Sequence, residues 1–340
     1  MKRKICAYKT SWPLRSPIRI TGHVFENIDM VVVEIGEGEL IGRGEGCGIY
    51  YMHDFADGML AQIETVRGDI EAGLTRTELQ SVLPPGGARN ALDCALWDLE
   101  ARVAGKSVWD MIGIQPDPVR TAFTITLNSP EEMARRAAAA SDYSLIKIKL
   151  DAELPVERVA AIRSARPDAT LIIDANQGFS FPQLRDVAGA LADLGVAMIE
   201  QPLPRGDDAE LAGFRSPVPL CADESCLHRG ELAQALDRYD MINIKLDKTG
   251  GLTEALALAA EARAAGKKLM VGNMVGTSLS MAPAFAVAQI CEFADLDGPL
   301  ALKGDVLKGL VYHNGHVEAP TPDFWGGQST SMDHPAETAH

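Results

Sequence analysis

From about residue 120 onward, short apolar runs rich in Ile, Leu and Val recur along the chain: TAFTITL, LIKIKL, LIIDAN, AMIEQP, PLCADE, MINIKL, KLMVGN and FADLDG. Between them lie amphipathic or Ala-rich stretches, among them residues 131–140, 156–165, 183–194 and 252–265. Brief apolar runs alternating with helical stretches predict βαβ units and a parallel sheet. Eight such runs suggest closure into a barrel. The steps are regular: Lys149 to Asp174 is 25 residues, Asp174 to Glu200 is 26, Glu200 to Asp223 is 23 and Asp223 to Lys245 is 22. Lys245 to Asp295 is 50, two further units of strand, helix and loops. The chain before residue 120 reads differently. Residues 29–36 and 40–47 resemble two strands joined by the turn Gly36-Glu37-Gly38. A helix is expected at about 54–66, and Pro84-Pro85-Gly86-Gly87 breaks the chain. Ala91, Leu92, Ala95, Leu96, Leu99 and Val103 then fall on one helical face.

Composition narrows the class. A chain of 340 residues that is 46% hydrophobic can bury a large core and exceeds the usual size of one domain. A formal net charge of −15 argues against a nucleic-acid or anionic-membrane partner. The six cysteines, at 6, 47, 94, 221, 226 and 291, form no CxxC pair, which fits reduced thiols and a cytoplasmic location. No apolar run is long enough for a membrane span. Gly42, Gly44, Gly46 and Gly48 do not form a GxGxxG motif, and Cys221 and Cys226 lack partners for zinc.

The charged residues fall at one end of the apolar runs. In a parallel barrel that end carries the reactive groups, and unpaired charges there would be costly. Asp174, Glu200 and Asp223 end successive runs, and three hard oxygen donors from adjacent strands suit Mg²⁺. The competing reading is three strand-end acids that cap helices. Lys147 and Lys149, two apart on one strand, point the same way, and Lys245 ends a strand four further on. A lysine acts as a base only when neutral, and a nearby dication or second ammonium pulls it that way. Ion pairs with the carboxylates are the plainer alternative. Asp295 and Asp297, in DLDG, place two carboxylates side by side, either to receive a substrate ammonium or as a solvated turn.

Together these motifs resemble the enolase superfamily in its muconate-lactonizing-enzyme-like subgroup: Lys147-Ile-Lys149, Asp174-Ala-Asn176, Glu200-Gln-Pro, Ala222-Asp223-Glu224-Ser, Asn243-Ile-Lys245 and Gly250-Gly251. The helix RNALDCALWDLEARVAG resembles the family's capping-domain helix. The resemblance implies a modified TIM barrel, (β/α)7β, with an N-terminal α+β capping domain. The expected domains are 1–117 (cap), 118–304 (barrel), 305–327 (a segment returning to the cap) and 328–340 (a disordered tail). It implies Mg²⁺ on Asp174, Glu200 and Asp223, supported by Asn176 and Glu224. It implies acid and base roles for Lys149 and Lys245, with Lys147 stabilising the charge of an enediolate. Asp295-Leu-Asp297 resembles the DxD feature of dipeptide epimerases, which implies a small dipeptide as partner, its ammonium on this pair. Tyr50, Asn273 and Met274 are expected to shape the pocket for the substrate side chain. Relatives selective for glutamate carry an arginine near residue 21. Here the segment reads Arg19-Ile-Thr21-Gly-His23, so either Arg19 or His23 serves, or the side chain is not glutamate. A homo-oligomer is expected.

The expected reaction is inversion of the α-carbon of a dipeptide's C-terminal residue by 1,1-proton transfer. The alternatives on the same scaffold are an o-succinylbenzoate synthase, an N-acylamino-acid racemase or a muconate-type cycloisomerase, whose substrates lack an ammonium. A barrel that only binds a ligand is the alternative of another class.

Overall fold

A computed structural model describes residues 2–20 and 23–327. Thr21 and the tail at 328–340 lie outside the described residues. The chain opens with an antiparallel sheet of order β1-β2-β3, formed by β1 (Lys4–Ile20), β2 (His23–Glu37) and β3 (Leu40–Gly46). Strand β1 was not anticipated. Among its residues whose burial is described, only Ile5, Trp12 and Leu14 are buried, and lysines, Thr10, Ser11 and Pro13 interrupt any apolar alternation. Its register with β2 slips between Pro13 and Ile18. The β2–β3 turn falls on Gly38-Glu39, one position later than expected, with Gly38 at φ 65°.

Three helices follow: α1 (Ala56–Ala72), longer than the expected 54–66, α2 (Arg76–Val82) and α3 (Gly87–Ala104). Thr75 and Glu78 start α2 with reciprocal hydrogen bonds to each other's backbone. Helix α3 lies directly on β3. A Cβ placed on Gly42, Gly44 or Gly46 would stand 2.2, 2.2 and 2.3 Å from the carbonyl oxygens of Ala95, Ala91 and Gly87. The alternate glycines therefore form a flat track for the helix backbone. Gly44→Ala is expected to lower stability by about 1–3 kcal/mol through overpacking. Chemical denaturation measures this, and a midpoint equal to wild type would contradict it.

After α4 (Val108–Ile112) and β4 (Val119–Arg120) come eight parallel strands. They are β5 (Phe123–Ile125), β6 (Leu145–Lys149), β7 (Thr170–Asp174), β8 (Val196–Glu200), β9 (Leu220–Ala222), β10 (Met241–Ile244), β11 (Lys268–Val271) and β12 (Phe293–Ala294). They neighbour one another in chain order. The sheet closes on itself through a parallel bridge between Thr121 and Ala294 and the Ala122 N–H to the Ala294 carbonyl (2.8 Å). The helices α5 (Pro130–Ala139), α6 (Pro155–Ala165), α7 (Phe181–Asp193), α8 (Arg229–Ala235), α9 (Leu246–Thr249), α10 (Leu252–Ala264), α11 (Ser278–Ala288) and α12 (Gly298–Ala301) connect the strands or follow the last. This is the barrel and cap expected from the alternation and the motifs.

Alternation along the strands sorts the barrel into layers. Ala122, Leu145, Ile172, Met198, Cys221, Met241, Met270 and Phe293 form one buried cluster, with one residue from each strand or its immediate approach. They plug the barrel interior. Their neighbours, such as Ile146, Ile173, Ile199, Ile242 and Val271, belong to a different cluster that packs on the helices.

The last described residues lie against the cap. Arg43 Nη2 donates to the Phe324 carbonyl (2.7 Å), Trp325 Nε1 donates to the Arg43 carbonyl (3.0 Å), and the Gly326 N–H donates to Asp98 Oδ1 (2.7 Å). Short strands β13 (Tyr312–His313) and β14 (His316–Val317) pair with each other, and β14 pairs with β4. All six cysteines are free thiols. Among the described residues, no helix is long and apolar enough to cross a membrane.

Candidate active site

Two residues beyond the members of the apolar plug, the side chains change from hydrocarbon to polar, except at Gly272, which has none. The positions are Thr124, Lys147, Asp174, Glu200, Asp223, Asn243, Gly272 and Asp295. Two residues further lie Lys149, Asn176, Lys245, Met274 and Asp297. A period of 2 thus carries each strand from a sealed floor to a charged ring and then to a rim. The rim opens into a cavity of about 1250 Å³, whose wall includes Lys147, Lys149, Asp223, Lys245, Asp295 and Asp297. The cap supplies Phe25, Tyr50, Tyr51 and Phe55 on the other side.

The ring is held by ion pairs. Lys147 Nζ lies 3.1 Å from Asp174 Oδ2, 2.8 Å from Glu200 Oε2 and 2.9 Å from Asp295 Oδ2, and only 1% of the side chain is exposed. Lys149 Nζ donates to Asp174 Oδ2 (2.6 Å) and Asn176 Oδ1 (3.0 Å). Lys245 Nζ donates to Asp223 Oδ2 at 2.6 Å. Burial pulls the Lys147 and Lys245 pKa values down, but the facing carboxylates outweigh it and hold both well above the ordinary lysine range. The sequence reading expected the reverse for a base. These oxygens bring the lysines the negative charge that keeps the ammonium form, and a dication on the same oxygens would remove that compensation. Burial likewise opposes ionisation of Asp174 and Asp223, yet their lysines hold both far below the usual carboxylate range. Glu200 is pushed up to about 7, by burial first and then by the charge of Asp174.

The three expected metal ligands do come together with the lysines. As they stand, no three His, Cys, Asp or Glu side chains among the described residues are grouped closely enough to hold a metal ion. Ammonium groups occupy the space between the carboxylates. The donor set nevertheless fits a hard dication: three fully buried carboxylates at successive strand ends, already bridged by cations. Glu224, 2% exposed, leaves Oε2 without a hydrogen-bond partner beside them. Its other oxygen accepts from Gln177 Nε2 at 3.2 Å.

Asp295 and Asp297 both reach the cavity, but not as a pair on one strand face. Strand β12 ends at Ala294, and Asp297 stands at the N-cap of α12. Asp295 is joined to Lys147 and so to the carboxylate ring, where the sequence reading offered only an ammonium site or a solvated turn. The short seam between β12 and the start of β5 carries it back to β6. Burial opposes ionisation of Asp295, and Lys147 overcomes this to hold its pKa low. Asp297 accepts the Thr124 N–H (2.9 Å), and its pKa rises to about 7, by burial first and then by the charge of Asp295.

Other expected contacts divide. Tyr50 and Met274 line the cavity. Asn273 also lines it, but its amide holds the loop: Nδ2 donates to the Asp295 carbonyl (2.7 Å) and Oδ1 accepts the Val275 N–H (2.7 Å). His23 pairs through its backbone with Ile20, and its side chain, like Thr21, lies outside what is described.

Sequence reasoning missed Lys248. This lysine, 1% exposed, donates to Asp223 Oδ1 (2.7 Å), the Asp223 carbonyl (2.6 Å) and the Asn243 carbonyl (2.8 Å). Its signal was present: it lies one helical turn after Lys245 and on the same side. Asn243, quoted only within a motif, donates Nδ2 to Glu200 Oε1 at 2.7 Å. Gly250, in the Gly-Gly motif, serves cap docking. Arg89 of α3 donates to the carbonyls of Thr249 (2.6 Å) and Gly250 (3.1 Å), and a Cβ on Gly250 would meet its Nε at 2.5 Å.

The chain's likenesses to known proteins agree with this architecture. L-Ala-D/L-Glu epimerase of Escherichia coli (strain K12) is 48% identical over 319 residues, covering 93% of this chain and 99% of that one. N-acetyl-D-glutamate racemase of Pseudoalteromonas sp is 38% identical over 304 residues, covering 89% of this chain and 96% of the relative. The solved dipeptide epimerase of Enterococcus faecalis V583, complexed with Mg and L-Leu-L-Tyr, superposes with a TM-score of 0.88 at 29% identity, covering 96% of this chain and 99% of that chain. Residues 2–113 match the mandelate racemase / muconate lactonizing enzyme N-terminal domain, and residues 131–327 match the enolase C-terminal domain-like family. With the charged ring on the barrel floor and the cap above it, the chain belongs to the mandelate racemase / muconate lactonizing enzyme family of the enolase superfamily.

Proposed function

We propose that the chain is a dipeptide epimerase that inverts the α-carbon of the C-terminal residue by moving a proton between Lys149 and Lys245. The observation that carries this reading is their placement. Lys149 ends the second strand of an eight-stranded barrel and Lys245 follows the sixth, so they flank the cavity from opposite sides above one carboxylate ring. One lysine takes the α-proton and the other returns one to the opposite face. Lys147, charged and enclosed by three carboxylates, offers fixed positive charge where the substrate carboxylate becomes more negative. Asp174, Glu200 and Asp223 would hold Mg²⁺, which supplies further electrostatic stabilisation to that carboxylate. Tyr50, Tyr51, Phe25 and Met274 offer the substrate side chain an apolar and aromatic wall.

Incubation of L,L-dipeptides with the protein in D₂O tests the reading: deuterium should enter only the α-carbon of the last residue, with formation of the L,D epimer. No incorporation across a broad dipeptide set would refute it.

One observation favours a second reading, an N-acylamino-acid racemase. Lys147 already compensates Asp295, and the pKa of Asp297, raised to about 7, leaves that carboxyl only partly charged near neutral pH. An N-acyl substrate would then leave less unpaired charge than two bare carboxylates imply. A relative 38% identical is named for N-acetyl-D-glutamate. We expect Asp297 to receive the ammonium of a free dipeptide and to favour it about 10–150-fold over the N-acetyl form, since a charged hydrogen bond is worth ~1.5–3 kcal/mol. Asp297→Asn should remove most of that preference by raising KM. Equal kcat/KM for both forms in the wild type would select the racemase.

A further inference from the structure

We infer that Asp247 is a positioning residue that couples the cap loop over the substrate to the turn that carries Lys245. The inference rests on the epimerase reading for its kinetic arm. Asp247 lies in α9, the four-residue turn that Lys245 caps, and it is 6% exposed. Its side chain does not line the cavity. Instead its Oδ1 accepts three hydrogen bonds from the cap: the Cys47 N–H at 2.9 Å, the Gly48 N–H at 3.1 Å and Asn90 Nδ2 at 3.1 Å. Cys47 and Gly48 do line the cavity, and Tyr50 and Tyr51 follow within three residues.

The arrangement has few ways to relax. Gly48 sits at φ 78°, and a Cβ there would stand 2.2 Å from the Asp54 carbonyl oxygen, so the loop is tightly folded at the point Asp247 grips. At the other end, the Lys248 and Thr249 N–H groups both bond the Lys245 carbonyl at 3.0 Å, so the turn is closed on Lys245 itself. Two backbone donors and one side-chain amide converge on a single oxygen; losing it leaves the Cys47 and Gly48 N–H groups without that acceptor, while Asn90 Nδ2 keeps only the Glu45 carbonyl at 3.3 Å. The cap loop and the Lys245 turn are 200 residues apart in sequence and meet through this carboxylate. A substrate side chain pressed against Tyr50 and Tyr51 therefore bears on the same rigid unit as one of the two proton-transfer lysines. Lys149, on β6, has no such link among the described residues.

The test compares full-length wild type, Asp247→Ala and Asp247→Asn. The first readout needs no substrate: amide hydrogen exchange of peptides covering residues 45–51 and 244–250. Asp247→Ala should speed exchange in both by about tenfold or more, while peptides from β6 stay unchanged. The second readout is α-proton exchange in D₂O from each dipeptide epimer. Asp247→Ala should raise KM about tenfold and slow exchange of the epimer whose proton faces Lys245 about tenfold more than that of the other. Asp247→Asn keeps an oxygen for Cys47 and Gly48 and should restore both readouts to within about threefold of wild type. If Asp247→Ala does not fold, Asn90→Ala removes one donor from the same oxygen and should change both peptides in the same direction. Unchanged amide exchange, or equal slowing of the two epimers, overturns the inference. A wild type that exchanges no dipeptide proton refutes the epimerase reading, and the amide measurement then decides the coupling alone.

Discussion

Lys149→Ala and Lys245→Ala are each expected to abolish epimerisation, by about 10³-fold or more, while each keeps one half of the exchange chemistry. Losing a general base removes proton transfer on its own face only. Lys149→Ala should still let Lys245 wash deuterium into one epimer, and Lys245→Ala should do the same for the other. Both proteins should fold, because neither truncation strands a buried charge. Asp223 keeps the Lys248 ammonium at 2.7 Å when Lys245 is lost. Asp174 keeps Lys147 at 3.1 Å when Lys149 is lost. The measurement is nuclear magnetic resonance of α-deuteration, begun separately from the L,L and L,D dipeptides. Exchange of both epimers at equal rates in both mutants would end the two-base assignment.

Glu200→Gln is expected to cost at least about 10²–10³-fold in kcat and to leave the fold intact. Glu200 is the central carboxylate of the three. One of its oxygens accepts Asn243 Nδ2 at 2.7 Å and the other faces Lys147 at 2.8 Å. Glutamine preserves the shape but removes the charge, and it sets an NH₂ against either the Asn243 amide or the Lys147 ammonium. Loss of that charge should also weaken Mg²⁺ binding, measured by titration calorimetry, without changing the melting temperature of the metal-free protein by more than a few degrees. In the wild type, exhaustive EDTA treatment should abolish turnover, and added Mg²⁺ should return it. Full activity after such treatment would contradict the role given to Asp174, Glu200 and Asp223.

The difference between what was legible and what was not follows the range of the interactions. The barrel strands were readable because their signals are local: brief apolar runs, helical stretches between them, and steps of 22 to 26 residues. Strand β1 was not, because its burial is set by β2 and by the elements that cover it, not by its own sparse pattern of Ile5, Trp12 and Leu14. The alternate glycines of β3 were visible as letters, but their use as a track for α3 depends on a helix some fifty residues later.

The same division holds inside the site. The residues Asp174, Glu200, Asp223, Lys147, Lys149 and Lys245 were identifiable from sequence alone, because strand alternation and run ends state which side chains point inward and at which end. The pairing of those charges was decided by barrel closure. Lys147 meets Asp295 across 148 residues, Lys248 stands behind Asp223 from 25 residues away, and Asp247 takes hold of Cys47 across 200. Periodicity records the direction of a side chain relative to its own backbone. The identity of the partner it meets, and hence whether a carboxylate is left charged, neutral or fixed in place, arises only when strands distant in sequence are brought side by side in a ring of low dielectric.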